Sequence, residues 1–179
     1  MNDQTGDEQL IADARAGDMS AFKTLVQRYE GKVAGVVKSM LGDTPEAVDT
    51  GQEVFIRLYE TLDKFRGESS LGTYLIRIAI NLSLNELKRR KRKWNLLRPL
   101  EAGHEATSEE SNIETKEAVR YEINKLDPDF RLVVTLRMIE GYSTEETAKI
   151  LDIPIGTVLS RLSRAQKKLK EVLSKYLTT

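Results

Sequence analysis

The side chains best placed to do chemistry in this chain are cations at helical spacing near its C-terminal end. Thr157, Arg161, Arg164 and Lys168 recur at i, i+4, i+7 and i+11, with Ser160 among them, beside an apolar stripe of Val158, Leu162, Ala165 and Leu169. Such a helix packs on one face and offers hydroxyl and guanidinium groups on the other. Those groups hold phosphates and read base edges in a DNA groove. A second cationic set, KRRKRK at 88–93, includes Lys88 and Arg89 and ends an amphipathic stretch that also holds Arg77 and Asn81. Six consecutive cations exceed what a helix end needs to offset its dipole. They suit a polyanion, bound with an affinity that falls with salt. Just ahead, Phe65, Arg66, Gly67, Ser69, Ser70 and Tyr74 gather aromatic, cationic and hydroxyl groups around the loop FRGESS. Such groups stack on an unpaired base and bond its edge, although a capped helix start accounts for the two serines equally well. A further strip, Asp49, Gln52, Glu53 and Ile56 with Phe55 beside it, reads either as a docking face for a partner helix or as a solvated face over an ordinary core.

These groups need helices to hold them, and nearly every periodic segment has period 3.6. Ser143, with Glu146 three residues on, has the spacing of a capping box. Ala148 is small enough for two helices to cross closely, and Asp152, Ile153 and Pro154 break the pattern before the cationic helix from about Ile155 to Leu177. A helix-turn-helix is therefore expected at 143–170. Upstream, helices are predicted over 7–16, from Asp18 or Ser20 to about Met40, from Thr44-Pro45 to about Asp63, and from Ser70 into the cationic run. Periodicity fails from Trp94 to about Ser111, a stretch with Pro99, Gly103, His104 and several Glu that reads as a flexible acidic linker. Helices resume over 113–125 and 128–140. The expected fold class is all-α, with two small helical domains at 5–93 and 113–178 joined by a linker at 94–112.

Composition sets limits. The chain has 28 basic and 28 acidic side chains, so its formal net charge is zero and its basic patches are local. It has no cysteine, which excludes disulfides and thiolate metal sites. His104 is the only histidine, so neither a metal set nor a Ser-His-Asp arrangement is expected, and no phosphate-binding glycine loop occurs. No cofactor and no catalysis are expected. No apolar run approaches the roughly 20 residues of a membrane span, and MNDQTGDEQL lacks the features of a signal peptide. A cytoplasmic protein is expected.

The motifs together resemble those of an extracytoplasmic-function (ECF, group 4) sigma factor of bacterial RNA polymerase. The family's region 2 is matched by D-x-x-Q-E-V-F at 49–55, L-D-x-F-R-G-E-S-S at 62–70 and T-Y-L-I-R-I-A-I-N at 73–81. Its region 4 is matched by L-D-P-D-F-R, G-Y-S-x-E-E-x-A and P-I-G-T-V-x-S-R-L-x-R-A between 126 and 165. The resemblance implies that Asp49, Gln52, Glu53, Phe55 and Ile56 dock on core polymerase, which holds the β and β′ subunits. It implies that Phe65 to Ser70, Tyr74, Arg77, Asn81, Lys88 and Arg89 serve the −10 element, and that Ser143, Thr157, Ser160, Arg161, Arg164 and Lys168 serve the −35 element. Promoter DNA, core polymerase and an anti-sigma factor are the implied partners. Tyr74 stands where the family usually has Trp, Gly51 where an aliphatic is usual, and Leu159 where a basic residue is common. The rival readings are an autonomous helix-turn-helix regulator whose N-terminal domain senses a ligand or dimerises, and a nucleic-acid enzyme with the same C-terminal module.

Overall fold

The computed structural model describes residues 4–97 and 115–174, and all regular structure among them is helical. The first unit comprises α1 (Gln4–Arg15), α2 (Met19–Leu41), α3 (Pro45–Thr61) and α4 (Leu71–Leu97). Local chemistry sets its boundaries. Gly17, at φ +96°, turns the chain after α1, and the Asp18 carboxylate accepts from the Ser20 and Ala21 amides to start α2. Gly42, at φ +79°, ends α2. Thr44 caps α3, with Pro45 in its first turn. The Ser70 hydroxyl accepts from the Thr73 amide at the start of α4. The second unit comprises α5 (Thr115–Lys125), α6 (Pro128–Val134), α7 (Thr144–Leu151) and α8 (Ile155–Leu173). Ser143 and Glu146 form the expected capping box, and Asp152 adopts a left-handed conformation at the turn into α8.

Several boundaries differ from the sequence reading. The third helix tightens into a 3-10 turn at Leu62–Lys64. Helix α4 runs past the cationic cluster to Leu97, so Trp94 begins no linker. The helix expected over 128–140 is α6 followed by a π-helical turn, Thr135–Ile139. The remainder of the linker and the last residues of the expected C-terminal helix lie outside the described residues. On the third helix Val48, Ile56 and Tyr59 are exposed.

The main core is formed by α2, α3 and α4 around Leu25, Val36, Met40, Val54, Leu58, Leu75 and Ile76, all fully buried. It does not stop at the unit boundary. Leu132, Leu136 and Ile150 from the second unit belong to the same apolar cluster. Smaller clusters seat α8: Val134, Ala165 and Leu169 on one side, and Val133, Ala148 and Val158 under the helix-turn-helix. The small Ala148 thus sits where α7 and α8 cross.

Candidate nucleic-acid interface

The loop before α4 and the first turns of that helix bring the aromatic pair together. Phe65 and Tyr74 have ring centroids 5.0 Å apart, and the Tyr74 and Thr61 hydroxyls are 2.9 Å apart. That hydrogen bond fixes the partly buried ring at the edge of the core, where it lines an open cleft. A cleft of about 990 Å³ opens beside it, lined by Lys32, Arg66, Ser69, Tyr74, Arg77 and Lys149 among others. Its walls offer cations, hydroxyls and aromatic rings, which suit a nucleotide. Lys32 and Lys149 belong to this cleft and were missed in the sequence, because α2 and α7 are distant in the chain.

Arg77 is exposed but engaged. Its guanidinium donates to the carbonyl oxygens of Lys149, at 2.6 Å, and Ile150, at 3.3 Å. Asn81, one turn on, lines a second cleft shared with Asp129, Asp152 and Arg161. Arg77 and Asn81, two of the residues expected to serve the −10 element, therefore face the second unit in this arrangement. The cationic run divides into two roles. Lys88 lies exposed on the surface, and Arg89 is held by Glu86 at 2.6 Å. Arg90 turns inward, donating to the carbonyl of Leu41, the hydroxyl of Thr44 and the carboxylates of Glu46 and Glu86. The guanidinium of Arg89, with that of Arg90, holds the Glu86 carboxyl below the ordinary glutamate range.

On α3, Asp49, Gln52 and Ile56 lie exposed on one outer face with Val48 and Tyr59; Glu53 is partly covered and pairs with Arg57 at 2.8 Å. Phe55 packs against the core rather than beside them.

On α8 the stripes separate as the spacing predicts. Val158, Ala165 and Leu169 are buried, whereas Ser160, Arg164 and Lys168 are exposed. Three of the expected DNA contacts on α8 already have intrachain partners. Arg161 donates to Asp129 at 2.6 Å. Lys168 is 3.5 Å from Asp127 and lies over the Phe130 ring. The Ser160 hydroxyl donates to the Thr157 carbonyl, itself in a half-buried residue. Ser143 is occupied as the cap of α7. Arg164 is exposed, and among the described residues no ion pair or hydrogen bond engages it. Among the described residues no group of three His, Asp or Glu could hold a metal ion, and no helix is long and apolar enough to cross a membrane.

A stacking platform beside a cationic helix and a helix-turn-helix on the same chain define a protein that handles promoter-like DNA at two places. The sequence matches Sigma-70 region 2 over residues 25–93 and Sigma-70, region 4 over 116–169. It is 38% identical over 182 residues to the ECF RNA polymerase sigma-E factor of Escherichia coli K12, covering 93% of this chain and 94% of that one. It is 34% identical over 190 residues to RNA polymerase sigma-H factor of Pseudomonas aeruginosa, covering 97% of each. Among solved structures, CnrH in complex with the cytosolic domain of CnrY is similar at TM-score 0.71 and 27% identity, over 95% of this chain and 98% of that one. The sigma factor RpoE in complex with the anti-sigma factor NepR from Bartonella quintana is similar at TM-score 0.69 and 25% identity, over 86% and 96%. The chain belongs to the sigma-70 family, in its ECF group, and is a transcription initiation factor that directs RNA polymerase to promoters. The reading as an autonomous regulator is not favoured.

Proposed function

We propose that the chain docks on core polymerase through the outer face of α3, with Asp49, Gln52, Glu53 and Ile56 as the contact strip and Phe55 holding the helix from behind. The Phe65–Tyr74 platform receives an unpaired base of the −10 element, Asn81 bonds its edge, and Arg66, Arg77, Lys88 and Arg89 hold the flanking phosphates. Helix α8 enters the major groove at the −35 element. The chain performs no catalysis itself and acts in the cytoplasm. The observation that carries this reading is the presence, on one chain, of a partly buried aromatic pair lining a cationic cleft and of a capped helix-turn-helix with a cationic stripe. CnrH is solved with the cytosolic domain of CnrY and RpoE with the anti-sigma factor NepR. By that likeness an anti-sigma factor is a further partner of this chain.

Reconstitution with core polymerase tests the reading. The expected result is co-elution with core and initiation from selected promoters, with Tyr74→Ala and Asn81→Ala lowering strand opening more than closed-complex binding. Stacking and edge bonds are each worth about 1–3 kcal/mol. Equal loss at both steps would place those two residues outside base capture.

A further inference from the structure

Helix α8 carries a feature that the cationic stripe does not explain. Leu159 is 53% exposed and Ile155, one turn earlier, 47% exposed, in the first turns after Pro154. At 100° per residue the two lie on one flank of the helix, the cationic residues Arg161, Arg164 and Lys168 lie on the other, and Gly156, Ser160 and Ser163 lie between. Single exposed leucines are ordinary. Here the exposed pair sits at the N-terminal end of a helix-turn-helix reader, the end that meets base edges. The polar groups beside it are partly engaged: Ser160 donates to the Thr157 carbonyl and Arg161 to Asp129. The unengaged side chains at the tip are Thr157 and the apolar pair, and of these the pair is the more exposed.

The major groove presents one apolar group, the C5-methyl of thymine. We propose that Leu159, supported by Ile155, reads a thymine methyl in the −35 element and is a specificity-determining residue of this chain. The inference rests on the assignment of α8 as the −35 reader. It commits the exposed flank to DNA because that flank is continuous with the reader's cationic stripe across a ridge of small residues that lets the backbone come close. Contact with Leu159 removes the methyl and one face of the leucine from water. Burial of one methyl group corresponds to about a fourfold change in affinity. A base pair without that methyl loses this gain, and a cation at position 159 would hold phosphate without sensing the methyl.

The test uses the full chain with core polymerase. The holoenzyme first selects a −35 element from a randomised promoter library. Each thymine of the selected element, on both strands, is then replaced in turn by deoxyuridine, which removes only the methyl. The expected result is a loss of about three- to fivefold in promoter affinity at one position with the wild-type chain, and no loss there with Leu159→Ala. Leu159→Ala itself should weaken the thymine promoter by the same factor and leave the melting temperature unchanged, since the side chain is exposed and Ala is the better helix former. Leu159→Arg should bind more tightly at low salt and ignore the deoxyuridine substitution. The proposal is overturned if deoxyuridine is silent at every position, if the selected element contains no thymine, or if Leu159→Ala keeps the wild-type deoxyuridine penalty. A loss of core binding in Leu159→Ala with the deoxyuridine response intact assigns the flank to a protein partner and also overturns it. Selection of no −35 sequence at all would instead remove α8 as the reader.

Discussion

Arg89 and Arg90 are neighbours of one type in one basic run, yet the structure gives them different work. Arg90 is partly buried and bridges three helices through Leu41, Thr44, Glu46 and Glu86. Removing it leaves the Leu41 carbonyl without that donor and takes one of two arginines from the Glu86 carboxylate. Arg90→Ala is expected to destabilise the protein by about 1–2 kcal/mol, allowing for its part-exposed position. Arg89→Ala should leave thermal unfolding unchanged and reduce the salt slope of DNA binding by about one unit if Arg89 holds a phosphate. Denaturation midpoints with salt-dependent binding separate the two. A second residue-scale expectation concerns Glu140, which packs over Gly35 between the units. Burial raises its carboxyl above the ordinary glutamate range. The group thus favours the packed state when protonated: its contribution is full below the ordinary value and is lost as pH rises through the raised one. Acidification through the mildly acidic range should therefore stabilise the wild type relative to Glu140→Gln, as read from melting temperatures of the pair at each pH. Tyr142 beside it is raised by its own burial and by the charges of Glu140 and Glu146, and titrates on the alkaline side.

The helices show a recurrent device: arginines placed on the carbonyl ends of helices. Arg15 donates to Leu62 and Phe65 past the end of α3, Arg90 to Leu41 at the end of α2, and Arg77 to Lys149 and Ile150 at the end of α7. Arg131 is buried and donates to the carbonyls of Met40, Asn124 and Leu126, at the ends of α2 and α5. The last carbonyls of a helix lack intrahelical partners and carry the negative end of its dipole, so a guanidinium satisfies both needs at once. This device was not legible in the sequence, where a guanidinium near an amphipathic helix looks the same whether it holds a carbonyl or a phosphate. The caps were legible because they are local: Asp18, Thr44-Pro45 and the Ser143–Glu146 box each act within four residues. The helix-turn-helix was legible for the same reason. The π-turn at 135–139 was not, since it depends on what packs against the helix from elsewhere, and the outer face of α3 was legible only as a choice between a docking strip and a solvated one. That outer face gives an element-scale prediction. Ile56 is 52% exposed on it, so Ile56→Arg should leave the melting temperature within about 0.5 kcal/mol-equivalent of wild type and weaken association with core polymerase at least tenfold. Wild-type core affinity would remove α3 as the docking helix.

At the scale of the molecule, the two units lie against each other through the faces assigned to DNA. Leu132, Leu136 and Ile150 enter the core cluster of the first unit, Arg131 reaches Met40, and Arg77 is tied to the end of α7. A guanidinium bonded to two carbonyls is not free for a phosphate, whereas Asn81 lies exposed in the cleft it shares with Arg161. If Arg77 holds a phosphate of the −10 element, its ties to the end of α7 have to break, and parting of the units and DNA binding are then coupled. Gly35 offers a way to bias it. A Cβ built there would fall 2.6 Å from a Glu140 carboxylate oxygen, so a side chain added at this close approach of α2 to the second unit has to displace that carboxylate. Glycine within a helix is unfavourable by about 0.5–1 kcal/mol relative to alanine. Gly35→Ala should therefore favour α2 itself while straining the contact, with relief available if the Glu140 side chain turns away. Gly35→Asp adds like-charge repulsion to the same steric conflict. The full-length Gly35→Asp chain is expected to keep its helical content, to show a larger radius of gyration in solution scattering, and to bind −10 single-stranded DNA without polymerase about fivefold more tightly or better, the low end of a coupling of about 1 kcal/mol. Gly35→Asp with Glu140→Lys should restore the compact state by pairing the two new charges. An unchanged radius and unchanged DNA affinity in Gly35→Asp would mean that the contact between the units does not restrain the readers.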